Sequence, residues 1–162
     1  MKKKIIFLVI IVIIIIVGVI VLLGSRKSKK IDSITQLRFS YSSGYMMNSD
    51  TVYEITKKDD KYYANIKPYL VPSDEAFEVE IDEKVINEII EVLNKYEVSK
   101  WDGFSKSDKY VLDGDSFSFS IHMDNGSDIY ASGYMMWPKN YGEVKSELNR
   151  ILGPLYPTKQ EK

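Results

Sequence analysis

The chain has 162 residues, with 22 basic against 23 acidic side chains and a formal net charge of −1. Seven basic residues (Lys2, Lys3, Lys4, Arg26, Lys27, Lys29, Lys30) and no acidic ones precede Ile31, which leaves 15 basic and 23 acidic side chains beyond it, a net −8. An acidic body excludes a nucleic-acid-binding face, which needs cations against phosphates, and the lack of cysteine excludes disulfides, zinc ribbons, thiol catalysis and a lipid-modified cysteine in this sequence.

The first predicted element is a membrane anchor. It opens at Ile5 and closes at Leu23, and its 19 positions (IIFLVIIVIIIIVGVIVLL) include only Gly18 without a hydrocarbon side chain. At about 1.5 Å per residue such a helix spans roughly 28 Å, the core of a bilayer. The apolar run exceeds the roughly 7–15 residues of a cleaved signal, and Leu22, Leu23, Gly24 and Ser25 offer no small-residue cleavage site, so an uncleaved anchor is expected over a secretory signal. Basic residues nearly balance on the two sides of the run and do not orient it by themselves. A short head before a long apolar run places the body outside the cytoplasmic membrane. With Gly18 as its one small residue, the helix lacks the small-xxx-small face of a dimerising span.

The expected organisation is a cytoplasmic head at residues 1–4, a single-pass signal-anchor at 5–23, a basic stalk at 24–32, one extracytoplasmic domain at 33–157 and a polar tail at 158–162. Within the domain, residues 34–41 alternate through Leu37, Phe39 and Tyr41. Residues 51–56 are β-branched and aromatic, and residues 62–66 return after the polar turn Lys57-Lys58-Asp59-Asp60. Pro68 and Pro72 interrupt pairing before a short strand at 76–81. A helix follows, with Asp82 as N-cap, Ile81 and Ile86 as a hydrophobic staple, and Ile86, Ile89, Ile90, Leu93 and Tyr96 on one stripe. Residues 116–123 alternate Phe117, Phe119, Ile121 and Met123 against a serine face that ends in His122. The turn at Asp124-Asn125-Gly126-Ser127 predicts a hairpin with a three-residue loop, a type I turn with a glycine bulge, pairing Met123 with Ile129 and Ile121 with Ala131. A second helix is predicted at 141–152, stopped by Gly153-Pro154. The fold class is therefore α+β: a mainly antiparallel sheet of about six strands in the order ββββ-α-ββ-α, with two helices on one face.

The candidate binding residues come from a repeat. Ser43-Gly44-Tyr45-Met46-Met47 recurs as Ser132-Gly133-Tyr134-Met135-Met136. A functional reading puts both copies on adjacent strands, where Tyr45, Met46, Met47, Tyr134, Met135 and Met136 form a patch for a partner or an apolar ligand. The competing reading makes them core residues. A duplicated half-domain is poorly supported because the flanks do not align. Trp101 and Trp137 either expose aromatic loops to glycan or peptide or plug the ends of the core. Four thioethers without histidine or cysteine are a weak copper site, and the aspartates at 108, 113, 115, 124 and 128 lack EF-hand spacing, so no metal or cofactor is expected. His122 shares a strand face with Ser116, Ser118 and Ser120, but no Gly-x-Ser-x-Gly elbow accompanies it, so no catalytic residue is assigned.

The segments WDGF at residues 101–104, LDGDSFSFSI at 112–121, the Asp-Asn-Gly turn and ASGYMMWPKNY at 131–141 resemble a group of uncharacterised membrane-anchored or lipoprotein-like proteins of Gram-positive Firmicutes. The resemblance covers about half of the body and implies a cell-envelope location without implying an activity. This chain departs from the lipoprotein members by lacking a lipobox cysteine. The resulting expectation is a single-pass cell-membrane protein whose body is a non-catalytic envelope module for a protein, peptide or glycan. The alternative is a small envelope hydrolase that uses surface carboxylates or His122.

Overall fold

The computed structural model describes residues 30–44, 50–72 and 75–157. The expected membrane helix lies outside the described residues, and so do Tyr45, Met46 and Met47.

Alternation at period two becomes strand wherever the sequence sustains it. The elements are β1 (Gln36–Ser42), β2 (Thr51–Lys58), β3 (Lys61–Lys67), β4 (Phe77–Ile81), α1 (Glu83–Lys95), β5 (Phe104–Ser107), β6 (Ser116–His122), β7 (Asp128–Tyr134) and α2 (Tyr141–Leu152). They form an α+β domain with one seven-stranded sheet in the order β4-β3-β2-β1-β6-β7-β5. All pairs are antiparallel except β5 with β7. This corrects the expected element order, which lacked β5. The strand has four residues and one half-buried side chain, too short to show a period. It forms because β7 would otherwise end the sheet with unpaired backbone groups. Gly103 N–H to Tyr130 O (2.9 Å) and Asp108 N–H to Tyr134 O (3.0 Å) close its two ends.

Turn chemistry sets the hairpins. Asp59 and Asp60 both have positive φ (49° and 61°), the mirror-image turn that suits the right-handed twist of β2 and β3. At the β6–β7 turn, Gly126 N–H donates to Met123 O (3.0 Å) and Gly126 has φ +74°, so the three-residue loop with a left-handed glycine is as expected. The register is not. Ile121 faces Ile129 and Phe119 faces Ala131, two residues from the expected pairing, because the loop closes between Met123 and Ser127. The shift is even, so every side chain keeps its face.

Both helices bury their apolar stripes on one side of the sheet. Ile86, Ile89, Val92 and Leu93 of α1 and Tyr141, Val144, Leu148 and Leu152 of α2 meet Leu37, Phe39, Tyr53, Ile55, Ile66, Phe117, Phe119, Ile121 and Ile129. Asp82 occupies the N-cap of α1 with extended backbone, although its side chain makes no capping bond.

The entry to the domain was not legible in the sequence. Ile31 and Ile34 are fully buried, so the core includes Ile31, inside the segment expected as stalk. Asn94, one residue from the end of α1, holds it there: its Oδ1 accepts from Ile31 N–H (3.0 Å) and its Nδ2 donates to Ile31 O (2.7 Å) and Ile90 O (2.9 Å). Asn94→Ala leaves two backbone groups of Ile31 without these partners and is expected to lower unfolding stability by about 2 kcal/mol in equilibrium urea denaturation.

Candidate functional site: the uncovered sheet face

Among the described residues, one face of the sheet carries both helices and the other carries none. Strand register assembles the uncovered face row by row. Ser40, Ser118, Ser132 and Ser105 stand side by side across β1, β6, β7 and β5. The next row holds Ser42, Ser116, Tyr134 and Ser107, and on the other side lie Arg38, Ser120 and Tyr130. Ser40 Oγ and Ser118 Oγ are hydrogen-bonded at 2.7 Å, which ties β1 to β6 through side chains as well as backbone. Arg38 pairs with Glu54 on this face.

A shallow cavity of about 440 Å³ opens over these rows, lined chiefly by Ser105, Ser118, Ser120, Tyr130 and Ser132, with Gly103 at its rim. Its lining includes no carboxylate and no imidazole. Tyr130 is half exposed. Its backbone N–H donates to Asp102 Oδ1 (3.3 Å) and its hydroxyl to Asp128 Oδ2 (3.4 Å), so the ring stands fixed beside the hydroxyls. His122 lies at the far end of β6. Its Nδ1 pairs with Asp128 Oδ1 at 2.7 Å, and its ring meets Tyr130 edge-on at 5.6 Å. A nucleophilic serine needs its hydroxyl against the other ring nitrogen. Ser118, on the cavity wall, is bonded to Ser40 instead.

Of the repeated pentapeptide, the structure describes Ser43 and Gly44 of the first copy and all of the second. Its copies follow or end β1 and β7, which flank β6 rather than each other. Ser42, just before the first copy, stands level with Tyr134, the third residue of the second. What the copies share is close packing around the loop before β6. A Cβ on Gly44 would lie 2.6 Å from Gly114 N, and one on Gly114 would lie 2.4 Å from Met135 Cγ. Tyr134 donates its hydroxyl to Leu112 O (2.8 Å), Met135 N–H donates to Asp115 O (2.9 Å), and Met135 Sδ accepts from Asp115 N–H (3.2 Å). The second copy thus holds the 112–115 loop, and Met135 takes a left-handed φ of 54° to do so. Met136 and Trp137 are partly exposed beside it.

Trp101 is buried at 2 % exposure, packs edge-on against Phe119 at 5.2 Å and donates Nε1–H to Lys139 O (3.0 Å). It fills the core and also lines the groove between Phe104 and Lys139. Trp137 stacks on Tyr141 at 4.7 Å and 21° with its edge in solvent.

Beneath Trp137 sits a cluster of ionisable groups. Tyr41 donates its hydroxyl to Asp115 Oδ2 (2.6 Å), and Lys145 Nζ lies 3.2 Å from the centroid of the Tyr41 ring. Burial, then the hydrogen bond to Asp115, pushes Tyr41 up to about 12. Burial also raises Tyr53 and, more strongly, Tyr141, whose hydroxyl has no hydrogen-bond partner, and it lowers Lys145. A tyrosine raised in the folded state stabilises that state below its unfolded value near 10 and loses the contribution as pH rises through the folded value. Alkaline titration followed at 295 nm should therefore show Tyr41 and Tyr141 still largely protonated near pH 11, with stability falling from about pH 10 upward. Full ionisation of all tyrosines at pH 11 with the fold retained would contradict this.

The aspartates are used one by one. Asp102 accepts from Tyr130 N–H, Asp108 from Tyr110 N–H, Asp115 from Tyr41 and Asp128 from His122. Among the described residues no three His, Asp or Glu side chains converge as metal ligands. No family model matches the chain, and no curated protein matches it either.

Sequence reading found the serine face of β6 but missed Ser105, Ser132 and Tyr130 as its neighbours. Ser105 came with the unrecognised β5. Ser132 and Tyr130 alternate with Ile129 and Ala131, a signal that was present in β7.

Proposed function

We propose that the protein is a membrane-tethered, non-catalytic cell-envelope module that binds a neutral glycan on its uncovered sheet face. The hydroxyl-lined cavity between β6, β7 and β5 carries the reading, since neither a carboxylate nor an imidazole enters its wall. Serine is depleted in protein–protein interfaces, whose centres are built from Trp, Tyr, Met and Arg. Rows of hydroxyls, each donor and acceptor at once, match a ligand that is itself made of hydroxyls. Tyr130 adds one fixed ring for the apolar side of a sugar. The apolar run at residues 5–23 supplies the tether, with the body outside the cytoplasmic membrane, and the segments at 101–104, 112–121 and 131–141 resemble those of Gram-positive envelope proteins.

Calorimetric titration of the full chain in detergent with tetra-N-acetylchitotetraose tests the ligand class. Binding is expected to weaken about tenfold in Tyr130→Ala, one ring contact of roughly 1.4 kcal/mol. Heat that is unchanged by Tyr130→Ala, or absent in the wild type, contradicts the reading. Carbonate extraction of membranes tests the tether: the full chain stays in the pellet, and a variant lacking residues 5–23 does not.

A further inference from the structure

The opposite side of β5 carries a different chemistry. Phe104 and Lys106 flank Ser105 and point away from the uncovered face by strand alternation. They meet the connection after α1 and the connection before α2 across a groove of about 280 Å³ whose wall includes Lys100, Lys139 and Trp137. Three ammonium groups stand here against one carboxylate, Glu97, which pairs with Lys100. The groove is therefore a cationic site in a body whose net charge is −8. Such a local field draws anions to one place on a surface that repels them elsewhere.

The lining narrows the anion. It contains lysine and no arginine, so it offers separate point charges that can each meet one oxygen of a phosphate, as a P-loop lysine does. Trp137 is held from behind by Tyr141, with its ring edge exposed, and Lys106 Nζ sits 5.4 Å from the Phe104 ring centroid. A rigid indole beside ammonium groups suits a ligand with one apolar ring face and one anionic group. The volume is at the small end of ligand pockets, enough for a single sugar ring. Trp101, bonded to Lys139 O, fixes the backbone that carries the third lysine.

We infer that this groove binds a phosphorylated sugar, as a second site independent of the glycan face. The test is tryptophan fluorescence of the full chain in detergent at constant ionic strength, with glucose 1-phosphate, inorganic phosphate, glucose and hexaglutamate as probes. Glucose 1-phosphate gives a saturable change, inorganic phosphate a weaker one and glucose none. Trp137→Phe removes the response while leaving the circular dichroism intact, which assigns the signal to the Trp137 side of the groove. The triple variant Lys100→Gln/Lys106→Gln/Lys139→Gln raises the Kd at least about tenfold with the same circular dichroism. No saturation by about 10 mM glucose 1-phosphate, near the limit of measurable affinity, overturns the inference. So does an unchanged Kd in the triple variant. Phosphate binding as tightly as the sugar phosphate removes the role of the ring and overturns it too. Tighter binding of hexaglutamate makes the groove a dock for acidic peptide instead.

Discussion

Trp101→Ala is expected to lower unfolding stability by about 3–5 kcal/mol, the range for deleting a buried aromatic side chain. The indole is the largest fully buried side chain and touches three other rings, Phe117, Phe119 and Tyr141, with centroids 6.3, 5.2 and 6.1 Å away. Truncation opens a cavity between β6 and α2 that these stiff rings cannot collapse into. It also removes the donor to Lys139 O and so frees the connection that leads into α2. A domain of this size has roughly 5–15 kcal/mol in total, so the variant stands near the edge of folding. Urea denaturation should show a lower midpoint with an unchanged slope. A loss below about 1 kcal/mol would place the indole at the surface after all.

Gly133→Ala should cost about 3 kcal/mol or more, although it adds one methyl group. A Cβ at Gly133 would lie 2.0 Å from Met136 O and 2.6 Å from Phe117 Cε1. The first neighbour is backbone and cannot rotate away, because Met135 N–H is bonded to Asp115 O and the chain folds back there. Either β7 separates from β6 or the Met135–Met136 turn unfolds. Gly142→Ala is the matched control. It sits in the first turn of α2 with open space around the added Cβ, and replacing glycine in a helix should raise stability by about 0.5–1 kcal/mol. Equal effects at the two positions would mean that the close approach at Gly133 does not exist.

Gly133 also shows why the sequence was only partly legible. Alternation in β1, β2, β6 and β7 and the 3.6-residue stripes of α1 and α2 are local signals, and each became the element it predicted. What failed was non-local. Four residues at Phe104–Ser107 form a strand because β7 offers them an edge. Ile31 is core because Asn94, 63 positions beyond it, binds its backbone. The contacts of the repeated pentapeptide are equally non-local: its glycines serve close backbone approach, and Met135 Sδ accepts from Asp115 N–H. Trp101 and Trp137 have the same sequence signature, an aromatic residue beside a turn, yet one is core and the other an exposed edge. Only the register between β6, β7 and β5 places Ser105, Ser118 and Ser132 in one row, and no single segment carries that information.

The uncovered hydroxyl face and the lysine-lined groove lie on opposite sides of β5, so a ligand for one does not occupy the other. The glycan reading is tested most directly by amide chemical-shift mapping of the isotope-labelled full chain during titration with tetra-N-acetylchitotetraose. Shifts confined to Ser105, Ser118, Ser120, Tyr130, Ser132 and their strand neighbours, with the oligosaccharide recovered intact, are the predicted result. Shifts centred on the helices or on the 135–140 connection, or release of shorter sugars during the titration, would contradict it.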